Sequence, residues 1–438
     1  MLTVGSATQV INNEIGTPIQ GASVDQRVNS IRDDLEANAL LMRSDDEAVL
    51  LVSCDVGALL PRFVEGFRRT MAEAAGVPER NIIIACSHTH TGPSILPTSY
   101  FKDVDTDYHR RLDGWLGEVA AAAADDARPA RIASGSGSAK IGYNRRVCWS
   151  DGTHTMHRNR GGDEFIGLEG PEDPEQIALF AMDEENELIA VLHNNTAHPT
   201  TFYGRDFLSA DYPGAARKHL RDVLGSVPVV FLNGAFGDIS NNSQVLGNAR
   251  RETPEQRMER QAHLMAGETL RLLHEADFRE DVALAHRYED LELGVRLPDP
   301  VKVEESREIL ARVDAGEELP AWDVMLAHGR ALLQDEFADN PVDSVPVHAV
   351  RVGGLGIALQ PSELFCQFGL DIKRRSRAPM TAVVSVADGY TSYCPTMSGI
   401  IGGGYSGEPL WWTRLEPGAG ERIVDSASRL LWSIWESR

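Results

Sequence analysis

The stretch Ile82-Ile83-Ile84-Ala85-Cys86-Ser87-His88-Thr89-His90-Thr91-Gly92-Pro93 decides how this chain is read. Its apolar opening follows the stop signal Gly76-Val77-Pro78 and has the length of a buried strand. Ser87 to Pro93 then lies at a strand's carboxyl end, where open α/β sheets place ligands. Side chains two apart share a face in extended chain, so His88 and His90 point into one site. Two imidazoles there suit a borderline metal such as zinc. Read alone, HxH is equally compatible with a pair of surface or hydrogen-bonded histidines.

Outward from this stretch, short apolar runs alternate with helical patterns. Residues 49–52 read as a strand, and Leu59, Phe63, Phe67 and Met71 stack at helical spacing after it. A helix is expected over 108–124, with Leu112, Trp115, Leu116 and Val119 on one face. Residues 188–192 and 227–232 are two more strands around a helix near 213–224. Thr253-Pro254-Glu255-Gln256 has the chemistry of a capped helix start. Residues 284–345 read as a peripheral, partly helical segment covering the sheet, with a helix near 303–315. Strand pattern returns at 352–359, and a last helix over 421–436 turns Ile423, Leu430, Leu431 and Trp435 inward. No internal repeat or linker is visible. The expected fold is α/β: a mixed, mostly buried sheet with flanking helices, active-site loops at strand carboxyl ends, and one catalytic domain over 1–438.

Several of those loops hold residues with chemistry. Asn194 to Thr200 brings His198 before Pro199 on a constrained loop. Asn233 to Asn242 carries Gly234, Gly237, Asp238 and Ser240, where glycine permits close backbone approach. Gln360-Pro361-Ser362-Glu363 offers a carboxylate to complete a catalytic zinc site of three protein ligands plus water. Asp388 to Thr396 contains Tyr390 and Tyr393, and a glycine-rich loop over 399–407 contains Tyr405. Each has an ordinary structural reading, but together they bring at least four candidate loops to one sheet edge. Trp411-Trp412 is expected to pack in the core.

Taken in order from His88 to Tyr405, these motifs resemble the catalytic domain of the neutral (non-lysosomal) ceramidases. The resemblance implies an amidohydrolase with one zinc ion per chain, bound by His88, His198, Glu363 and Tyr393. It places His90, Arg145 (in Gly142-Tyr143-Asn144-Arg145-Arg146) and Tyr405 beside the reacting amide. Gly237 to Ser240 matches the family's Gly-Asp-x-Ser segment, which adds Asp238 and Ser240 to the candidate catalytic set. Its tyrosine spacing, twelve positions from Tyr393 to Tyr405, is kept. Departures are Ser240-Asn241-Asn242 for Ser-Pro-Asn and a non-acidic segment after Tyr393. The expected reaction is attack of a zinc-activated water on a linear N-acyl amide, with His90 as acid for the leaving nitrogen, Asp238 orienting His90 or the water, and Ser240 positioning water or attacking directly.

Composition bounds the partners. The chain has 438 residues, 42% of them hydrophobic and 24% charged, as ordinary globular proteins do. A net charge of −23 weighs against nucleic acid and anionic membrane surfaces, and no apolar run is long enough to span a bilayer. Cys54, Cys86, Cys148, Cys366 and Cys394 are scattered and odd in number, as free thiols in a reducing compartment are. With no signal sequence at the start and no immunoglobulin-like domain at the end, a cytoplasmic location and a small soluble amide substrate are expected. A zinc esterase or lactonase, and a non-catalytic metal- or ligand-binding protein, are the alternatives.

Overall fold

The computed structural model describes residues 2–20, 26–97, 105–158, 162–246 and 250–436. The chain runs through three units of the same topology. The first comprises strands β1 (Thr3–Val10), β2 (Glu36–Arg43) and β3 (Ala48–Cys54), helix α1 (Pro61–Ala75), strand β4 (Ile82–Cys86) and helix α2 (Thr106–Asp125). β1, β2 and β3 pair antiparallel, and β4 adds parallel to β3, with Leu50 opposite Ile82 and Cys54 opposite Cys86. The second unit repeats this with β5 (Arg131–Ser138), β6 (Glu175–Met182), β7 (Leu188–Asn195), α3 (Asp211–Leu224), β8 (Val229–Asn233) and α4 (Pro254–His274).

The third unit has β9 (Leu284–Gly294), an insertion of α5 (Pro300–Asp314) and α6 (Ala321–Phe337), then β10 (Val342–Val352) and β11 (Leu355–Leu359). It closes with α7 (Cys366–Arg375), β12 (Met380–Val384) and α8 (Ala419–Glu436), and β11 again pairs parallel with β12. The repeat is one of topology, and no periodicity of residues announces it. Two other expectations change here. Residues 284–345 do not merely cover a sheet: β9 and β10 pair over eleven residues and form half of the third one. The run 352–359 is a hairpin rather than one strand, turned at Gly353, whose φ of 60° favours glycine.

Alternation along the strands explains the layering. In β6, Ile177, Leu179 and Ala181 join a central core, while Ala178 and Phe180 pack with Leu220 of α3 and Ala266 of α4. Leu40 and Met42 of β2, and Leu355, Ile357 and Leu359 of β11, enter the same central core. Each sheet therefore turns one face to the other two and the opposite face to its helices. The expected capping box is present: the Thr253 side chain accepts from Gln256 N, and Gln256 reaches back to Thr253 N. α1 starts at Pro61 and is closed by Gly76, as its sequence indicates. No helix among the described residues is long and apolar enough to cross a membrane.

The sheets are stitched where parallel strands end. Asn233 at the end of β8 donates to the carbonyls of Ser87 (3.1 Å) and Ala197 (3.0 Å), and its own carbonyl accepts from Ser385 N (3.0 Å). Cys86 N donates to Val386 O at 3.1 Å. These bonds bring the loops after β4, β7, β8 and β12 to one place.

Candidate functional site

His88 leaves β4 with φ at 69°, a left-handed conformation that a histidine rarely adopts. Its N–H donates to Val56 O, and its Nδ1 lies 2.5 Å from Gly57 O. Nδ1 therefore carries the proton, and the lone pair is on Nε2. His198 is arranged the same way: Nδ1 faces the carbonyls of Phe236 (2.9 Å) and Ile239 (3.0 Å). Both unprotonated Nε2 atoms turn toward one carboxylate, with Glu363 Oε2 at 3.0 Å from His198 and 3.6 Å from His88.

Short ribbons place the remaining groups. Ser362–Leu364 pairs parallel with Ser392–Cys394, which sets Glu363 directly beside Tyr393. Tyr143–Asn144 pairs with Ile239–Ser240 and delivers Arg145, whose Nη2 lies 2.9 Å from His198 Nε2 and 3.1 Å from the Tyr393 hydroxyl. Gly237 is required by close approach rather than by its backbone angle, since a Cβ there would stand 2.3 Å from Glu363 O. Tyr390 donates to Glu363 Oε1 at 2.6 Å and so aims Oε2 at the histidines.

The charges fit a cation. Burial pushes His198 down to about 3, with Arg145 adding to the effect. Burial also lowers His88, against the pull of Glu363. Burial would raise the Glu363 carboxyl, but its contacts with His88, His198 and Tyr390 hold it well below the usual carboxylate range. Two imidazole lone pairs and a carboxylate thus face one another. Burial disfavours a proton on either imidazole, so a metal cation is the charge that meets all three. The ligand atoms of His88, His90 and His198 also lie within 4.8 Å of one another. The residues present therefore fit zinc, with His90 standing beside the set expected from sequence. Tyr393 is held as a neutral phenol by burial and by the nearby Glu363.

His90 has both ring nitrogens buried without a hydrogen-bond partner among the described residues. Burial, then His88 and His198, keep it neutral. It starts as a proton acceptor, and the acid role expected from sequence requires that it first take up a proton. Asp238 departs from expectation more clearly. It does not line the cleft, and its carboxylate is taken by Cys366 N and Asn144 Nδ2, both at 2.7 Å. Through Asn144, and by accepting Arg145 N at its carbonyl (2.8 Å), it positions the arginine rather than His90 or a water. Ser240 reaches the cleft, and among the described residues its hydroxyl accepts from Asn242 N at 3.2 Å and has no base bonded to it.

The groups open into a cleft of about 700 Å³ lined by His88, His90, Arg145, Ser240, Glu363, Tyr393 and Tyr405. The Tyr405 ring lies 5.9 Å from that of Tyr393. Trp412, expected in the core, is buried yet forms part of the wall, and Trp322 reaches it from α6. Tyr390 and Trp322 complete the site without marking themselves in the sequence: Tyr390 lies within the Asp388–Thr396 segment, whereas nothing local distinguishes Trp322.

No family model and no curated protein matches the chain. Among solved structures it is similar to neutral ceramidase from Pseudomonas aeruginosa, with a TM-score of 0.73 at 17% identity over 99% of this chain and 75% of that one. A ceramidase complexed with C2 gives a TM-score of 0.73 at 16% identity, with the same coverage. The chain has the neutral ceramidase-like fold.

Proposed function

We propose that this protein is a zinc-dependent hydrolase of a linear N-acyl amide. The observation that carries the reading is the convergence of the His88 and His198 Nε2 lone pairs on the Glu363 carboxylate at the floor of an open cleft. His88, His198 and Glu363 would hold the ion, with Tyr393 and His90 beside them. Bound there, zinc supplies a water of lowered pKa and polarises the substrate carbonyl. The chain's own groups do the rest. Neutral His90 takes the proton from the attacking water and delivers it to the leaving nitrogen. Arg145 donates toward the oxygen on which charge develops, held in place by Gly237 O at 3.0 Å. Tyr405 adds a hydroxyl from the same side as Tyr393. Ser240 orients water, since among the described residues no base is bonded to its hydroxyl to activate it as a nucleophile.

The test is metal content by elemental analysis on the wild type and His88→Ala, followed by turnover of matched amides and esters. About one zinc per chain in the wild type, lost in the variant, is expected, with amides cleaved. Absence of stoichiometric metal after reconstitution would overturn the reading. Metal without turnover would leave a binding protein, and ester-only turnover an esterase.

A further inference from the structure

One cation in the cleft has no part in the hydrolytic reading. Arg257, in the first turns of α4, lines the cleft with Asn241, Asn242 and Gln244. Its Nε is buried without a hydrogen-bond partner, and no carboxylate pairs with its guanidinium among the described residues. Glu252, a near neighbour in sequence, bonds Arg260 at 2.7 and 3.1 Å and feels Arg257 only as a nearby positive charge. In a chain with 65 acidic and 42 basic residues, an arginine in a cleft with no direct carboxylate bond among the described residues is suited to an anion that arrives with the ligand.

The rest of the cleft says what the ligand carries besides charge. On the Tyr393 side the wall is mostly apolar, and its carboxylate Glu408 is paired with Arg330 at 3.2 Å: Trp322 packs edge-on to Tyr405 at 5.6 Å, and Met325 and Leu326 continue it along α6. On the His90 side it is polar. His90 lies 5.8 Å from Tyr203, Thr200 bonds Asn241, and Gln261 of α4 donates to Asn241 O at 2.6 Å, which leads to the helix that bears Arg257. The cleft that holds the candidate centre thus has both an apolar wall and a cation. A neutral lipid amide would offer no anion to Arg257, whose Nε is buried without a hydrogen-bond partner among the described residues.

We propose that Arg257 binds the carboxylate of the substrate, so that the ligand is an N-acyl amino acid whose acyl chain lies along Trp322, Met325 and Leu326. That the ligand is a substrate rests on the amide-hydrolase reading above; the recognition itself does not. Trp322 and Trp412 in the wall make binding visible by tryptophan fluorescence. The probes are N-dodecanoylglycine and its uncharged glycinamide counterpart, titrated into wild type, Arg257→Gln and Arg257→Lys, with release of dodecanoate followed in parallel.

The wild type should bind the carboxylate at least about tenfold tighter than the amide. Arg257→Gln should lose that preference, by about ten- to a hundredfold, without weakening the neutral probe, and Arg257→Lys should restore part of it. Equal affinity of the wild type for both probes, or an unchanged preference in Arg257→Gln, would overturn the proposal. The wild-type comparison needs no variant to fold. Discrimination without release of dodecanoate keeps Arg257's role and removes the hydrolase reading, while release without discrimination does the reverse.

Discussion

At the scale of single residues, the site depends on how each donor is held. Tyr390 is no candidate ligand itself, but its hydroxyl bonds Glu363 and fixes which carboxylate oxygen faces the histidines. Tyr390→Phe should weaken zinc binding about ten- to a hundredfold in chelator competition, as loss of a group that orients a ligand does. Unchanged affinity would show that Glu363 is aimed by its ribbon alone. Asp238 is a different case. Burial pushes its carboxyl up to about 6, against the bonds from Cys366 N and Asn144. A folded pKa above the unfolded value adds stability at low pH that is lost as pH rises from about 4 through about 6. The loss is worth about 3 kcal/mol. Asp238→Asn removes the titration, so its stability relative to wild type should improve by about that amount between pH 4 and pH 7 in urea unfolding. A pH-independent difference would place the ionisation elsewhere.

Elements set where those residues stand. The loop 234–238 passes so close to the Glu363 ribbon that Gly237→Ala brings its Cβ against Glu363 O and Leu364 O, both backbone atoms that cannot swing aside. This variant should fold but release zinc more readily than wild type, read by the same chelator competition. Helix α4 carries Arg257 in its first turns and is started by the Thr253–Gln256 capping box. Thr253→Ala should cost about 1 kcal/mol and raise hydrogen exchange in the first turn of α4. Much of this scale was legible in advance. Pro61, Gly76, Thr253 and Gln256 mark helix ends by local chemistry alone. The strand hidden in 352–359 was not, because Val352 and Leu355 continue the apolar pattern across the turn.

For the molecule as a whole, the central core shared by three sheets carries the arrangement. Ile357 lies in it, fully buried. Ile357→Ala should destabilise by about 2 to 5 kcal/mol in denaturant unfolding, with the spread set by how far the three sheets can close on the cavity. Each unit is a βββαβα element whose parallel pair opens at the same end, so the loops after β4, β7, β8, β11 and β12 meet there. His88 comes from the first unit, His198 and Asp238 from the second, and Glu363, Tyr390 and Tyr393 from the third.

From its sequence the chain already determined which runs would be buried strands, which would be amphipathic helices, and which loops held histidine, carboxylate and tyrosine. Those properties follow from the spacing of apolar side chains and from residue chemistry, both local. Tertiary structure alone decided that three similar units surround one core, that Arg145 turns to His198 and Tyr393, that Asp238 is spent on Asn144 and Cys366, and that Arg257 faces the cleft unpaired. Such contacts join positions far apart in the chain. They arise from hydrogen bonds between sheet ends and from the fit of packed faces, neither of which leaves a pattern in neighbouring residues.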